Sequence, residues 1–286
     1  MESKQYTINN PMAPLWIKYT YIDCGSIGWR WGDGEAYKFE FFEWYNSLSE
    51  YEQKQYKELF PIPKMWDDIY GDEKNSYEEY IDPVLLYWNE DGKPEYCMDN
   101  LIDDYNKGID HDYLFFWGHQ PSKSGKITKS CLSQWWKCDF SYKDEDYNCA
   151  EQYMMAQKAC LFGDMEVYDE IIKSSNPKEI KALGRKIKNF DEQIWDREKY
   201  DIVLKGNYFK FDQNKELRDY LLSTGDSIIV EASPYDGIWG IKMSADDEQV
   251  NNPLNWKGQN LLGFALMEVR NELNRIYKHY DCIGNL

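Results

Sequence analysis

The sequence predicts a mainly α-helical α+β fold, in which a helix-rich domain contains a few short strands. Apolar residues recur at helical spacing over residues 260–277, and residues 148–163 and 194–211 are also predicted as helices. Residues 113–117 and 227–233, in contrast, are short apolar runs that end at glycine or proline, as buried strands often do. Helical segments therefore outnumber strands.

The composition is that of a folded protein with a large negative charge. Hydrophobic residues make up 42% of the 286-residue chain and aromatic residues 17%, which argues against disorder. The net charge of −18 argues against strong sequence-independent binding to duplex DNA, because proteins that bind in this way usually present a basic surface. We therefore expect a small molecule or a single nucleotide as the partner, with a local basic pocket for any phosphate.

The spacing of cysteine and histidine indicates neither disulfides nor a metal site. The seven cysteines include no CxxC pair, and the three histidines form no metal-binding pattern. No window approaches 18 apolar residues, and the polar N-terminus lacks the apolar core of a signal peptide. We expect reduced thiols and a cytoplasmic location, with no membrane span, no metal and no cofactor.

The chain is predicted to divide at about residue 110. Residues 1–110 are rich in aromatic and acidic residues and are predicted to form an N-terminal extension of unknown role, while residues 111–286 are predicted to form a single domain. Acidic side chains are concentrated between residues 66 and 112, where no calcium-loop pattern occurs. This stretch is therefore predicted to be a solvated surface.

Local patterns predict the remaining elements. Apolar and polar residues alternate over residues 15–23, which predicts a short strand. Residues 35–60 predict two helices, the second capped by Ser47 or Ser49. Another strand is predicted to start at residues 238–241. Shorter helices are predicted over residues 167–173, 177–185 and 214–222.

The helix predicted over residues 148–163 carries two residues of catalytic type. Asn148 is a favoured N-cap and Glu151 follows three residues later, which approaches the capping-box pattern. Lys158 lies seven residues after Glu151, so both side chains leave the same side of the helix, roughly 10 Å apart along its axis. Glu151 could cap the helix or face a cleft together with Lys158, and Lys158 could equally be an ordinary surface lysine.

Two loops have the composition of ligand-binding segments. Residues 231–240 place Asp236 and Trp239 just beyond the C-terminal edge of a strand, where sites are often built. The alternative is a tight turn formed by Asp236, with Trp239 in the core. Residues 258–263 open a helix whose free backbone N–H groups could hold a phosphate, although a glycine and a capping asparagine such as Asn260 start many helices.

Taken in order, these motifs resemble the NADAR family, whose name refers to NAD and ADP-ribose and which includes N-glycosidases of the YbiA type. The resemblance covers roughly residues 113–275. The segments that carry it are residues 115–118, 132–135, 147–159, 183–185, 195, 210–214, 221–225, 231–240, 258–263 and 266–270. It implies a compact, mostly helical domain that hydrolyses N-glycosidic bonds.

The resemblance also implies roles for individual residues. Glu151, Lys158 and Asp236 would be catalytic, with a Schiff base on Lys158 rather than on the second matching lysine, Lys210. The residues that would bind the substrate are Phe116, Trp117, Gly118, Arg185, Trp195, Lys210, Trp239, Gly240 and Asn260. The aromatic side chains could stack on a flat base. Arg185 could pair with a diphosphate, or could serve only as a charge at the end of its helix.

Three functions are compatible with this set of residues. The first is an N-glycosidase that removes ADP-ribose from ADP-ribosylated guanine, with local contact to single-stranded nucleic acid at the modified nucleotide. The second is an N-glycosidase that acts on a phosphorylated intermediate of riboflavin synthesis. The third is a non-catalytic sensor of ADP-ribose or NAD. The presence of Glu151, Lys158 and Asp236 favours catalysis, because these residue types supply acids, bases and a nucleophile.

Overall fold

The computed structural model describes residues 6–66, 69–70, 88–89 and 94–284. Much of the acidic stretch predicted to be a solvated surface falls on residues 67–68, 71–87 and 90–93, outside the described residues. Within the described part of the chain, no helix is long and apolar enough to cross a membrane. The same residues contain no cluster of three or more His, Cys, Asp or Glu side chains suited to a metal ion.

The chain divides into two compact units. The first contains Met1–Leu86, Ser141–Glu145 and Glu272–Leu286, and the second contains Tyr87–Phe140 and Asp146–Asn271. The domain boundary at residue 110 stays a prediction. By compactness alone the chain divides earlier than residue 110, and its C-terminal segment belongs to the first unit.

Helices also form the first unit. These are α1 (Leu15–Lys18), α2 (Asp33–Ser47) and α3 (Glu50–Leu59). The two helices predicted over residues 35–60 are confirmed, and Ser49 caps α3 through a capping box with Glu52. The strand predicted over residues 15–23 is wrong. The first three residues of α1 are all buried, whereas a strand would turn every second side chain to the opposite face.

Helices are the main regular elements after residue 94. They are α4 (Met98–Asn106), α5 (Ala150–Leu161), α6 (Met165–Lys173), α7 (Pro177–Gly184), α8 (Glu192–Gln213), α9 (Lys215–Ser223) and α10 (Leu261–Tyr277). The helices predicted over residues 148–163, 194–211 and 260–277 are confirmed as α5, α8 and α10. Gly163, with φ of 70°, follows the C-terminal end of α5 as predicted. α5 packs against α6, α7 and α8, so it lies in the interior of its unit.

Short strands complete the architecture. They are β1 (Tyr113–Phe116), β2 (Phe140–Tyr142), β3 (Glu145–Tyr147) and β4 (Ile228–Glu231). β1 and β4 are the two strands predicted from the sequence, and they pair in parallel with Phe116 opposite Glu231. β2 and β3 form a separate two-stranded sheet. The mainly helical α+β fold is therefore confirmed.

The strand predicted at residues 238–241 is wrong, because this segment turns back on itself. The N–H of Ile241 donates to the carbonyl oxygen of Glu231 (2.9 Å), and the N–H of Lys242 donates to the carbonyl oxygen of Asp236 (3.0 Å). These hydrogen bonds close the loop at the C-terminal end of β4. As a result, the loop returns Asp236 to the neighbourhood of Glu231.

α5 begins without the predicted capping box. Its N-cap residue is Cys149, whose side chain makes no capping hydrogen bond. Asn148 donates its backbone N–H to Oε1 of Gln152 (2.8 Å), and the N–H of Glu151 donates to the carbonyl oxygen of Gln134 (3.0 Å). Of the two alternatives considered for Glu151, the helix cap is therefore not the one that forms. A neighbouring segment satisfies the backbone, which leaves the side chain of Glu151 available for another role.

Candidate active site

Two adjoining cavities within the second unit form one cleft. The α5 cavity has a volume of about 300 Å³, and the Trp117 cavity has a volume of about 480 Å³. Both are lined by Ser133, Trp135, Lys181, Glu231, Asp236 and Ile238. The α5 cavity is also lined by Gln134, Glu151, Met154, Met155, Lys158, Gly184, Arg185, Trp195 and Trp239. The Trp117 cavity is also lined by Trp117, Gly118, His119, Ser233, Tyr235 and Gly237.

Glu151 is a buried carboxyl group in the wall of the α5 cavity. It lies in the first turn of α5, and only 8% of the residue is exposed. Burial raises the pKa of Glu151 to about 7; the positive charge of Lys181 opposes this shift, and the negative charge of Asp236 adds to it. Glu151 therefore exchanges a proton near neutral pH, as a group that acts as a general acid or base must do.

Glu231 is a second carboxyl group in the cleft, at the last position of β4. Its Oε2 atom is buried and has no hydrogen-bond partner among the described residues. Burial, together with the charges of Asp236 and Glu151, raises the pKa of Glu231 to about 8. The free oxygen and the raised pKa both indicate a group that is protonated at neutral pH and can donate to a ligand.

Asp236 is the third carboxylate of the cleft, and it stabilises the loop that follows β4. Its Oδ1 atom accepts the N–H of Ile238 (2.8 Å) and the N–H of Trp239 (2.9 Å). This arrangement is an Asx turn, so Asp236 does form the turn considered from the sequence. Asp236 and Trp239 also line the α5 cavity, and Trp239 is half-buried rather than part of the core.

Lys158 is a half-buried amine in the wall of the α5 cavity. Its Nζ atom donates to the carbonyl oxygen of Gly184 (3.2 Å) and lies 4.2 Å from the ring centre of Phe190 and 5.2 Å from that of Trp195. Burial lowers the pKa of Lys158. A lowered pKa increases the fraction of neutral amine, which is the form that attacks a carbonyl carbon.

Comparison with known proteins identifies the family. A family model described as NADAR domain matches residues 115–274, which is more than half of the chain. The chain belongs to the NADAR family. Every residue that lines the cleft lies within the matched part, so the cleft is a feature of the NADAR domain itself.

Several NADAR relatives show how far the similarity extends. An N-glycosidase of Acanthamoeba polyphaga mimivirus is 46% identical over 166 residues, which cover 56% of this chain and 95% of the relative. Protein irg-1 of Caenorhabditis elegans is 41% identical over 129 residues, which cover 44% of this chain and 61% of the relative, less than two thirds of its length. An N-glycosidase of Nostoc punctiforme is 31% identical over 146 residues, which cover 51% of this chain and 86% of the relative.

The NADAR cleft brings together most of the side chains selected from the sequence. Those that line it are Trp117, Gly118, Glu151, Lys158, Arg185, Trp195, Asp236 and Trp239. Four other selected residues, Phe116, Lys210, Gly240 and Asn260, line neither cavity. Phe116 is 1% exposed in β1, and a Cβ atom at Gly240 would lie 2.7 Å from the carbonyl oxygen of Glu231. The structure thus assigns Phe116 to the core and Gly240 to a close backbone approach.

Lys210 has a structural position. It is completely buried in α8, and its Nζ atom donates to the carbonyl oxygens of Cys131 (2.7 Å) and Ser133 (2.8 Å). These hydrogen bonds hold the segment of Ser133 and Gln134 in place. The carbonyl oxygen of Gln134 in turn accepts the N–H of Glu151 at the start of α5. Lys210 therefore supports the wall of the cleft from within, and the substrate-binding role expected of it stays a prediction. Of the two candidate lysines, only Lys158 lines the cleft.

Asn260 is also structural, and the phosphate site expected beside it is wrong. Asn260 is completely buried; its Oδ1 atom accepts the N–H of Glu231 (3.0 Å), and its Nδ2 atom donates to the carbonyl oxygen of Ile229 (2.9 Å). The backbone N–H groups of residues 259–262 all donate to carbonyl oxygens of residues 237–240. Consequently, no free N–H group remains at these positions for an anion.

Sequence reasoning assigned no role to several residues of the cleft. Lys181, Glu231 and Trp135 line both cavities. Gln134 lines the α5 cavity, donates from Nε2 to Oδ1 of Asn207 (3.0 Å), and keeps a buried Oε1 atom without a partner in the described part of the chain. Glu231 could have been found, because a single acidic residue ends an apolar strand beside a turn. Lys181, on α7, carries no comparable signal.

Proposed function

We propose that this protein is an N-glycosidase that removes ADP-ribose from ADP-ribosylated guanine. The observation that carries the proposal is a cluster of carboxyl groups between two cavities that both present tryptophan side chains. ADP-ribosyl guanine has the matching layout, since a flat base lies at each end and ribose and diphosphate groups lie between them. A riboflavin-pathway intermediate with one base and one phosphate would leave an aromatic cavity unused.

The carboxyl groups supply the chemistry of bond cleavage. Breaking the C1′–N bond develops positive charge on the ribose and negative charge on the departing base. Asp236 and the ionised form of Glu151 stabilise the sugar, and both residues line the α5 cavity. Glycoside hydrolysis commonly uses a pair of carboxyl groups, one protonated as the acid and one ionised as the base or nucleophile. The buried Oε1 atom of Gln134 accepts a ribose hydroxyl.

Two basic side chains of one helix, α7, favour a diphosphate in the same cleft. Lys181 and Arg185 lie on α7 and at its C-terminal end, and both line the α5 cavity. The planar guanidinium group of Arg185 suits paired phosphate oxygens. These charges are local, and the chain as a whole carries a net charge of −18. Contact with nucleic acid is therefore confined to a single-stranded stretch around the modified base.

Lys158 offers a covalent route through the same cavity. After the ribose ring opens, its amine attacks C1′, an imine forms as the base departs, and water then hydrolyses the imine. The lowered pKa of Lys158, which results from burial, favours the neutral amine that this attack requires. Two relatives named N-glycosidases support the general reaction class for this chain.

The deciding experiment measures product release. The purified protein is incubated with a short single-stranded oligonucleotide that carries one ADP-ribosylated guanine, and free ADP-ribose is quantified by mass spectrometry. We expect stoichiometric release by the wild-type protein and release slowed by about 10²–10⁴-fold in Glu151→Gln. Intact substrate after prolonged incubation overturns the proposal. Faster cleavage of a ribosylaminopyrimidine phosphate would assign the riboflavin-type reaction instead, and calorimetric binding of ADP-ribose without turnover would assign a sensor.

A further inference from the structure

Glu231 has a position that the reaction proposed above does not yet use. It lines both cavities, whereas Glu151 lines only the α5 cavity. Its Oε2 atom is buried without a partner among the residues that the structure describes. A buried polar atom that faces a cavity and lacks a partner is costly, and ligands commonly supply the missing hydrogen bond.

Hydrogen bonds hold the backbone of Glu231 in place. The N–H of Glu231 donates to Oδ1 of Asn260 (3.0 Å), and its carbonyl oxygen accepts the N–H of Ile241 (2.9 Å). Glu231 also lies opposite Phe116 in the parallel pair of β1 and β4. A residue whose backbone is anchored in this way keeps its position at the edge of the cleft while a substrate binds and reacts.

The surrounding charges decide which carboxyl group keeps the proton. Glu151 on α5, Asp236 in the turn and Lys181 on α7 line the cleft with Glu231. Burial, followed by the charges of Asp236 and Glu151, raises the pKa of Glu231 to about 8. Burial raises the pKa of Glu151 to about 7, against the opposing charge of Lys181. Because the charge of Glu151 raises the pKa of Glu231, the two carboxyl groups titrate as a pair. We place the proton on Glu231, which lines both cavities and whose buried Oε2 atom lacks a partner among the described residues.

We propose that Glu231 is the general acid of this site and protonates the departing base. As the C1′–N bond breaks, its electron pair passes to the nitrogen of the base, which takes the proton of the Glu231 carboxyl group. Water then adds to C1′ and gives one proton to the Glu151 carboxylate. Transfer of that proton through solvent back to Glu231 restores both groups, and the net reaction is hydrolysis. This role depends on the N-glycosidase activity proposed above.

A comparison of leaving groups tests the role. Glu231→Gln keeps the size of the side chain but removes its acidic proton. We expect kcat on the ADP-ribosylated guanine oligonucleotide to fall by about 10²–10⁴-fold. On ADP-ribose that carries a 4-nitrophenoxy group at C1′, the fall should be within about threefold, because nitrophenolate departs with the electron pair of the C1′–O bond and needs no proton. Equal losses on both substrates, or no loss on either, would overturn the role of Glu231.

Two further variants separate acid catalysis from structural damage. Glu248→Gln makes the same change at an exposed position and should retain wild-type rates on both substrates. Glu231→Asp keeps a carboxylic acid and should recover part of the rate on the guanine substrate. Its kcat should also fall at alkaline pH, as that of the wild-type protein does above about pH 8, whereas the kcat of Glu231→Gln should not. A Glu231→Asp protein no faster than Glu231→Gln argues against general acid catalysis. A wild-type protein that cleaves neither substrate refutes the N-glycosidase proposal itself.

Discussion

The backbone N–H of Glu151 donates to the carbonyl oxygen of Gln134 across 3.0 Å. This hydrogen bond satisfies one of the free donors at the start of α5. The N–H of Asn148, which a capping Glu151 side chain would accept, donates to Oε1 of Gln152 instead. The carboxyl group is then free to line the α5 cavity, where burial raises its pKa to about 7. Because other residues satisfy the backbone at the start of α5, Glu151 lies at the cavity and does not cap the helix.

Glu151→Gln should lower kcat on the guanine substrate by about 10²–10⁴-fold and should also change how stability depends on pH. In the wild-type protein the pKa rises from 4.5 in the unfolded chain to about 7 in the folded protein. The unfolded state therefore loses its proton first, and the free energy of unfolding falls as the pH rises from about 4.5 to about 7. Glu151→Gln lacks this component, which is of the order of 1–3 kcal/mol.

Urea denaturation at pH 5 and at pH 8 measures this difference. Glu151→Gln should be stabilised relative to the wild-type protein at pH 8 more than at pH 5. Glu248→Gln, at an exposed position, provides the matched control and should shift the free energy of unfolding equally at both pH values. An equal shift for Glu151→Gln would show that its carboxyl group ionises normally in the folded protein.

Lys158 should be trapped by borohydride during turnover if the covalent route operates. Reduction of the imine would leave an ADP-ribose-derived mass on the peptide that contains Lys158, detectable by mass spectrometry. Lys158→Arg keeps the positive charge but cannot form the imine, so it should carry no adduct and release no ADP-ribose. Lys178→Arg changes an exposed lysine on α7 and should be labelled normally. An unlabelled but fully active wild-type protein would assign cleavage to direct attack by water.

Asn260→Ala should lower stability rather than only weaken binding. The variant loses the hydrogen bonds to Glu231 and Ile229 and leaves their buried backbone groups without partners. We expect the free energy of unfolding to fall by about 2–4 kcal/mol. Asn251→Ala, at an exposed position, should change it little. If Asn260→Ala kept wild-type stability and lost only affinity for ADP-ribose, Asn260 would be a ligand contact after all.

Gly184→Ala should reduce affinity for the substrate through Met155. A Cβ atom at Gly184 would overlap the Sδ atom of Met155, whose side chain lines the α5 cavity. The displaced thioether narrows the cavity, at a cost to binding of about 1–3 kcal/mol. Calorimetry with ADP-ribose measures this cost. Met155→Ala in the same protein should restore part of the affinity, and no recovery would contradict the proposed displacement.

Much of the secondary structure could be predicted, because local patterns dominate it. The apolar spacing of α10 and the glycine after α5 are local signals, and both elements formed where expected. The strand predicted over residues 15–23 failed, because alternation predicts a strand only when one face is exposed. At the start of α1, three consecutive side chains are instead buried by the rest of their unit.

The candidate site divides in the same way. Residue types and order suggested Glu151, Lys158 and Asp236, which all line the cleft. Neighbouring positions in the same motifs, such as Lys210 and Asn260, proved to be internal supports. A motif records which residues occur together, but it does not distinguish a side chain that faces a cavity from one that holds its wall.

The sequence by itself determined the family, the helix-rich fold and most of the side chains that line the cleft. Only the tertiary structure decided that Glu231 and Lys181 belong to both cavities and that Glu151 is no cap. The physical reason is that burial, charge and free hydrogen-bonding atoms depend on contacts between segments far apart in the chain. Glu231 becomes a candidate acid because α5, α7 and the Asp236 turn surround it. The sequence of β4 alone shows only an acidic residue at the end of an apolar strand.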